Sequence, residues 1–297
     1  MNLFLAGTNH CLSSVDERAE LRDRLKGSQG VLLATCNRTE LYGTDGFIIP
    51  DLCRSYIFRD KAAVKHLFRV ASGLDSAILG EGEILGQVRA AHLSAKGGCG
   101  ALLDRLFEKA VETGRSVRSR TRIGEGSVSV AGTAVSKALG LFGREKDGKM
   151  LIIGTGKIAE SLVRILVKKG FKAVLVAGRA FEKADDLAKR TGAKAMRFDS
   201  LGSEISDADI VISSTSAPHF VVKAEHIGIR EKPLIIMDLA SPRDVDPAVS
   251  GIRGVRLFDL DSVKEEIGLH LIKRRIEAVF AERIVEEEAE LFCKSLS

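Results

Sequence analysis

The stretch Ala34-Thr35-Cys36-Asn37-Arg38-Thr39-Glu40 has the residue types and spacing of a nucleophilic site. It follows the apolar run Gly30 to Leu33 and precedes Leu41-Tyr42, so Cys36 stands where one predicted strand ends in polar residues and the next begins. A side chain there can leave the sheet and meet a ligand. Cysteine attacks only as thiolate, and a cation such as Arg38 lowers the thiol pKa from its usual value of about 8.5. The same guanidinium could instead grip a substrate carboxylate through two parallel hydrogen bonds. On these residues alone, buried filler is the commoner use of a cysteine closing a strand.

A second chemical signal lies in Gly154-Thr155-Gly156-Lys157-Ile158-Ala159, which follows the apolar run Lys149 to Ile153 and opens a helical pattern reaching Lys169. This is the G-x-G-x-x-G/A spacing of a dinucleotide turn in its strand-turn-helix setting. The first glycine allows the tight turn, the second lets a pyrophosphate approach the backbone, and the small third residue permits close helix packing. Where an NAD site would place an acidic residue, after the second strand, the chain has Gly178-Arg179 with Lys183 a turn later. Positive charge at that point favours a ribose 2′-phosphate, hence NADPH.

Two further segments carry weaker signals. Gly73 to Gln87 mixes small and polar residues with leucine and isoleucine, which suits a bend facing a cavity but equally a plain connection between helices. Arg115, Arg118 and Arg122 recur at helical spacing, with Arg120 and Lys109 close by; such a face could meet phosphates or simply be solvated.

The elements that must position these residues follow from periodicity. Asn2 to Ala6 reads as a strand, Val15 to Lys26 as a helix, then the strand before Cys36, a strand over Thr39 to Thr44, a Gly/Pro-broken loop, and a short strand at Ser55 to Phe58. Helices are predicted from Lys61, over Leu79 to Ala95 and over Ala101 to Arg118. This β-α-β-β order with added helices predicts a small α+β domain of ferredoxin-like type. After the nucleotide turn, strands at Ala173 to Ala177, Lys194 to Phe198, Asp209 to Ser213, Pro233 to Leu239 and Gly254 to Phe258 give the alternation of a doubly wound parallel sheet, a Rossmann domain. The overall class is α/β, with boundaries at 1–145, 146–261 and, for a long C-terminal helix, 262–297.

Composition narrows the setting. The 297 residues suffice for roughly two domains, and 45 basic against 40 acidic residues leave a net charge of +5, which permits an anionic partner without demanding one. Five cysteines (Cys11, Cys36, Cys53, Cys99 and Cys293) show no C-x-x-C pair and no metal-ligand rhythm, so no disulfide framework and no metal site is expected. No apolar run approaches membrane-spanning length and no basic leader precedes the first strand, which predicts a cytoplasmic protein without a membrane partner.

Taken together, the motifs resemble those of the glutamyl-tRNA reductase family. The resemblance rests on Gly7-Thr8-Asn9-His10, the Thr35 to Glu40 stretch, His66-Leu67-Phe68-Arg69-Val70-Ala71-Ser72-Gly73-Leu74-Asp75-Ser76, Ile84-Leu85-Gly86-Gln87-Val88 and Asp238-Leu239-Ala240-Ser241-Pro242-Arg243-Asp244, in the family's order over nearly the whole chain. It implies that the glutamyl ester on tRNA is reduced by NADPH to glutamate-1-semialdehyde, the first committed step of tetrapyrrole synthesis, through a thioester on Cys36. It also implies that Thr35, Asn37, Arg38, Ser76, Gln87 and the turn Glu81-Gly82-Glu83 line the glutamate pocket and that His66 assists, either protonating the departing ribose oxygen or positioning the substrate. Backbone N–H groups around Asn37 could stabilise the oxyanion.

The departures from that family are specific. The chain is shorter between Arg18 and Cys36 and between Gly46 and His66, and it reads Glu81-Gly82-Glu83 where the family usually has Glu-Pro-Gln, adding a carboxylate that repels an acidic substrate unless a cation is close. It ends after the Ser262 to Lys294 helix, where the family's dimerisation domain would begin. That helix is apolar on two sides, Ile267, Leu271, Ala278, Val285 and Phe292 on one and Ile272, Ile276, Val279 and Ile284 on the other, so it could serve a homodimer or docking of the aminomutase that consumes the semialdehyde. Two other classes stay open: a catalytically weak regulatory or binding relative, and an NADP dehydrogenase of small carbonyl acids, since the second domain also looks like that of shikimate dehydrogenase.

Overall fold

The computed structural model describes residues 2–44, 55–143, 147–171, 174–228, 230 and 232–296. The Gly/Pro-broken loop after Thr44, Cys53, and the first residue of the strand expected at Ala173 lie outside them. Contacts divide the chain into two compact units, Met1–Glu125 with Leu271–Ser297, and Gly126–His270.

The first unit contains an antiparallel sheet of order β2-β3-β1-β4, formed by β1 (Leu3–Asn9), β2 (Val31–Ala34), β3 (Arg38–Thr44) and β4 (Tyr56–Arg59). This is the ferredoxin-like order; the connection from β3 to β4 that would carry that fold's second helix falls largely in residues 45–54. Helix α1 (Val15–Leu25) starts in a capping box, with Ser14 Oγ accepting from Glu17 N at 3.2 Å and the Glu17 carboxylate accepting from Ser14 N at 2.6 Å. Helices α2 (Asp60–Ser72), α3 (Glu83–Ala95) and α4 (Ala101–Arg120) build the core against the sheet, with Leu5, Val31, Leu67, Phe68, Leu106 and Phe107 all fully buried or nearly so. Gly114 on α4 lets α2 come close, because a Cβ there would sit 2.7 Å from the Ala71 carbonyl oxygen.

The second unit is a six-stranded parallel sheet, β10-β9-β8-β5-β6-β7, formed by β5 (Met150–Ile153), β6 (Val174–Ala177), β7 (Lys194–Met196), β8 (Ile210–Ser213), β9 (Leu234–Asp238) and β10 (Val255–Asp259). Numbered within the unit this is 3-2-1-4-5-6 read from the β7 edge, with the switch point between β5 and β8. Its helices include α5 (Val130–Phe142), α6 (Lys157–Lys168), α7 (Phe181–Thr191) and α8 (Leu201–Asp207). The strand read over Lys194 to Phe198 stops at Met196, and a short 3-10 turn follows.

The domain boundaries differ from those read in the sequence. Helix α5, in which two glycines and a serine obscure the apolar spacing, buries Ala131, Ala134, Val135 and Ala138 in the same core as β5 and α6, so the second unit begins at Gly126 and not at 146. The C-terminal helix α9 (Leu260–Lys294) is no separate unit. Val263 belongs to the core of the second unit, while Ala281, Ile284, Val285, Ala289 and Phe292 belong to that of the first. Ile284, expected on the free side, is therefore core, whereas Ile272, Ile276, Val279 and Phe280 are each at least half exposed. Among the described residues no helix is long and apolar enough to cross a membrane.

Candidate active site

Cys36 lies exposed in the three-residue connection between β2 and β3. That connection is held from inside. Thr35 N donates to Arg38 O at 2.8 Å, and Thr35 Oγ1 accepts from Asn37 N at 3.1 Å and Arg38 N at 3.2 Å. The loop is tied to β1 by His10 N donating to Asn37 O at 2.8 Å. The Cys36 carbonyl accepts two hydrogen bonds from Arg18 of α1, Nε at 3.0 Å and Nη2 at 2.8 Å, while Arg18 Nη1 reaches the Ser13 carbonyl. A small cavity of about 190 Å³ opens beside the thiol, lined by Val15, Arg18, Arg22, Thr35, Cys36 and Thr39 among others. The thiol thus rides on a fixed backbone at a cavity mouth, the setting a nucleophile needs.

Two expectations change here. The cation bound to the Cys36 peptide is Arg18; Arg38, on the next strand, is 1% exposed and turned into the protein. Its Nη1 meets Glu40 Oε1 at 2.9 Å and Asp75 Oδ2 at 3.0 Å, and its Nη2 donates to the Asp75 carbonyl. Of the three guanidinium nitrogens of Arg38, Nε is buried without a partner among the described residues, a donor still open to a ligand. The Asn37 N–H expected at the oxyanion is taken by Thr35, whereas the Cys36 N–H has no partner among the described residues.

Glu40 organises the interior behind the thiol. It is fully buried and accepts from Tyr42 Oη at 2.7 Å and Tyr56 Oη at 2.5 Å, and it pairs with His66 Nε2 at 2.9 Å besides Arg38. Burial works against its charge, but the His66 imidazole and the Arg38 guanidinium outweigh it and hold the carboxyl down at about 2. Burial and the Glu40 charge push both tyrosine hydroxyls up, so they stay donors. His66 lies 8% exposed against the rings of Tyr56 and Phe58, with centroids 5.4 and 5.0 Å away. Its Nε2 is committed to Glu40.

The glycine-rich segment is brought to the same region by Asp75, through Arg38. Ser76, Glu81 and Gln87 are half-buried, Gly82 and Glu83 exposed. Gly73 ends α2 at φ +77°, and Gly80 N donates to its carbonyl at 2.9 Å. Arg118 donates to Gly80 O at 3.4 Å and Glu81 O at 2.5 Å, and Arg274 of α9 donates to Leu79 O at 2.6 Å and Glu125 O at 3.2 Å. Arg118 thus meets this turn at its backbone carbonyls, and its charge acts on Glu81. The basic face read along α4 is reduced accordingly, since Arg118 points inward and Lys109 pairs with Glu112 and Glu288 at 3.1 and 2.8 Å.

In the second unit Gly154 turns at φ +124° with its N–H on Ala177 O at 2.8 Å, where a Cβ would meet the Ser214 carbonyl oxygen at 2.7 Å. Gly156 caps α6 with no side-chain hydrogen bond, and a Cβ there would have nothing within 4 Å, so the helix N-terminus is open to an approaching pyrophosphate. Ala159 is fully buried, as the packing role of the third position demands. Gly154 and Gly156, with Thr155, Lys157 and Ile158, line a cavity of about 920 Å³ at the carboxyl ends of the strands. Arg179, Lys183, Lys223, His219 and His226 also line it, and among the described residues no carboxylate does. Ser214 Oγ, on the same wall, is buried without a partner. A dinucleotide with a 2′-phosphate fits this donor set.

Sequence reasoning missed Arg18, Glu40 as the network's centre, and the wall formed by Ser214 to Ser216. It gave Asp238 and Asp244 only as a motif. Asp244 accepts from Ser213 Oγ at 2.6 Å, Thr215 N at 2.7 Å and Thr215 Oγ1 at 2.5 Å, and Asp238 accepts from Ala240, Asp244 and Val245 backbone N–H groups. Burial raises the Asp238 carboxyl pKa despite those donors. Asp244 thus holds the segment after β8 in place as the cavity wall, and Asp238 holds the turn after β9 that carries Asp244, roles whose sequence signal is an acidic residue at each end of an apolar-flanked turn.

Comparison with known proteins agrees with this division. Residues 136–266 match the family described as shikimate / quinate 5-dehydrogenase, and residues 9–121 match the N-terminal domain of glutamyl-tRNAGlu reductase. Glutamyl-tRNA reductase from Methanothermobacter marburgensis is 40% identical, with 91% of this chain and 70% of that protein aligned; the protein of the same name from Pelotomaculum thermopropionicum is 38% identical over 100% of this chain and 76% of its own. The solved glutamyl-tRNA reductase from Methanopyrus kandleri superposes with a TM-score of 0.89 at 34% identity, over 99% of this chain and 80% of that one. Identity at this level across both units, with a thiol loop on one and a dinucleotide turn on the other, places the chain in the glutamyl-tRNA reductase family.

Proposed function

We propose that the chain reduces glutamyl-tRNA to glutamate-1-semialdehyde with NADPH, through a thioester on Cys36. The observation that carries this reading is the exposed Cys36 thiol on a loop whose Cys36 and Asn37 carbonyls and Thr35 hydroxyl are already hydrogen-bonded. The thiolate attacks the ester carbonyl, the C–O bond to the terminal ribose breaks, and the ribose oxygen leaves with a proton. The Cys36 N–H, without a partner among the described residues, donates to the oxyanion. A nicotinamide, when bound, would supply hydride to the thioester carbonyl; collapse of the resulting hemithioacetal on Cys36 breaks the C–S bond, releasing the aldehyde and returning the thiolate. Ser214 Oγ and the Gly156 end of α6 hold the pyrophosphate region, and Arg179 with Lys183 takes the 2′-phosphate.

In the glutamate pocket, Thr35 and Asn37 shape the loop, Ser76 and Gln87 offer half-buried polar groups, and Arg38 Nε offers the remaining buried donor. His66, bound to Glu40, serves as a positioning residue. The homodimer read from the C-terminal helix rests on the exposed Ile272, Ile276, Val279 and Phe280; light scattering before and after Ile276→Glu with Phe280→Glu tests it.

The deciding experiment combines purified protein, labelled glutamyl-tRNA and NADPH. Semialdehyde is expected from the wild type, and a labelled glutamyl thioester accumulates when NADPH is left out. Cys36→Ser abolishes both, because a hydroxyl without a paired base is a far poorer nucleophile. Full turnover in the serine variant would instead support direct hydride transfer of the shikimate dehydrogenase kind.

A further inference from the structure

Away from the thiol loop, the end of α3, the turn after it and the first turn of α4 gather three side chains that the reaction does not use. His92 is buried on α3, Cys99 is buried in the turn, and Asp104 is half-buried on α4. Nε2 of His92 lies 2.8 Å from Asp104 Oδ1, and Cys99 Sγ lies 3.3 Å from the same oxygen. All three potential ligand atoms are within 4.8 Å of one another. Backbone geometry produces this meeting. Gly97 and Gly100 turn at φ +90° and +87°, conformations other residues rarely adopt, and Cys99 between them is the one buried residue from Lys96 to Gly100. The His92 ring is fixed by stacking on Phe107, with centroids 5.8 Å apart and planes inclined by 26°.

We propose that His92, Cys99 and Asp104 are a binding site for a divalent metal of the zinc class, with three protein ligands and an open fourth position. The chemistry of the set selects the ion. Thiolate with imidazole and one carboxylate suits zinc or cobalt(II), whereas magnesium and calcium require oxygen ligands throughout. With metal bonds of about 2.0–2.3 Å, tetrahedral ligand atoms stand about 3.3–3.8 Å apart, so small side-chain rotations convert the hydrogen-bonded cluster into a coordinated one. Binding releases the Cys99 thiol proton to solvent and takes the His92 tautomer that carries its proton on Nδ1. The Asp104 side chain, 30% accessible, gives the ion its way in. Lys96, the nearby cation acting on Asp104, is itself paired with Glu108 at 3.7 Å. A bound ion would staple α3, which follows the glycine-rich turn and carries Gln87, to α4, whose Arg118 holds the carbonyls of that turn.

Cobalt(II) is the probe, added to the full chain, because thiolate coordination gives a charge-transfer band and a tetrahedral site gives visible d–d absorption. One equivalent per chain is expected to produce both, and zinc to displace them. Cys99→Ser removes the charge-transfer band. Asp104→Asn, which keeps shape and folding should the serine variant fail, weakens binding at least tenfold, while Cys11→Ser and Cys36→Ser leave it unchanged. Zinc should also raise the unfolding midpoint of the wild type and not that of Asp104→Asn. The proposal is overturned if the folded wild type shows no band, or if the band survives Cys99→Ser and disappears in Cys11→Ser or Cys36→Ser; the cluster is then a hydrogen-bonded helix connection only.

Discussion

Glu40 carries the heaviest electrostatic load near the thiol, and its surroundings set a testable pH dependence. Its carboxyl titrates at about 2 in the folded chain against an ordinary value near 4.5. The stabilisation from its charge is therefore complete above pH 4.5 and is lost as pH falls toward 2, amounting to on the order of 3 kcal/mol. Glu40→Gln removes the buried carboxylate bound by Arg38 and His66 and leaves Arg38 with Asp75 as its remaining acidic partner, so at pH 7 it should lower unfolding stability by roughly 3 kcal/mol. In urea titrations the gap between wild type and variant should narrow at pH 3, where the unfolded chain's carboxyl has taken up its proton and the native one is still largely ionised. A gap of equal size at both pH values would mean that the hydrogen bonds and shape of the site matter and the charge does not. Arg38 shows the limit of reading single residues. Its type announces an anion partner, but alternation along β3 turns it inward, and the anions it meets are Glu40 and Asp75.

The turns decide most of what the elements do. In the turn between β6 and α7, Arg179 is exposed on the cavity rim with Lys183 one helical turn on. Arg179→Ala should weaken NADPH binding by about 1.5–3 kcal/mol and NADH binding far less, measured by fluorescence titration with each cofactor. An unchanged ratio between the cofactors would place the 2′-phosphate elsewhere. Gly80 governs the other turn, at φ +76°, where a Cβ would stand 1.9 Å from the Ile123 carbonyl oxygen. Gly80→Ala should destabilise the chain by roughly 2 kcal/mol or more in thermal unfolding, because strain and overlap act together. The alternating strands and helices of the second unit were legible because each parallel strand is a short apolar run between turn residues. Helix α5 was not, since Gly132, Ser136 and Gly140 interrupt its pattern and the packing of small residues against α6 supplies what periodicity does not show. Nor could helical spacing reveal that Arg118 reaches back to the carbonyls of Gly80 and Glu81, because spacing gives the face of a side chain and not the far end of a long one.

At the scale of the molecule, the thiol and the dinucleotide cavity stand on different compact units, each with a core of its own. If acylation of Cys36 draws only on the first unit and cofactor affinity only on the second, the two half-reactions should separate cleanly by mutation. Arg179→Ala, mixed with labelled glutamyl-tRNA and no cofactor, should form the Cys36 thioester at the wild-type rate and then reduce it slowly when NADPH is added below saturation. Cys36→Ser should bind NADPH with wild-type affinity and retain no label. Acid quenching counts the protein-bound glutamate, and cofactor fluorescence reports the second site independently. If Arg179→Ala slowed acylation as much as reduction, substrate and cofactor would share a surface, and the assignment of one chemical step to each unit would fail.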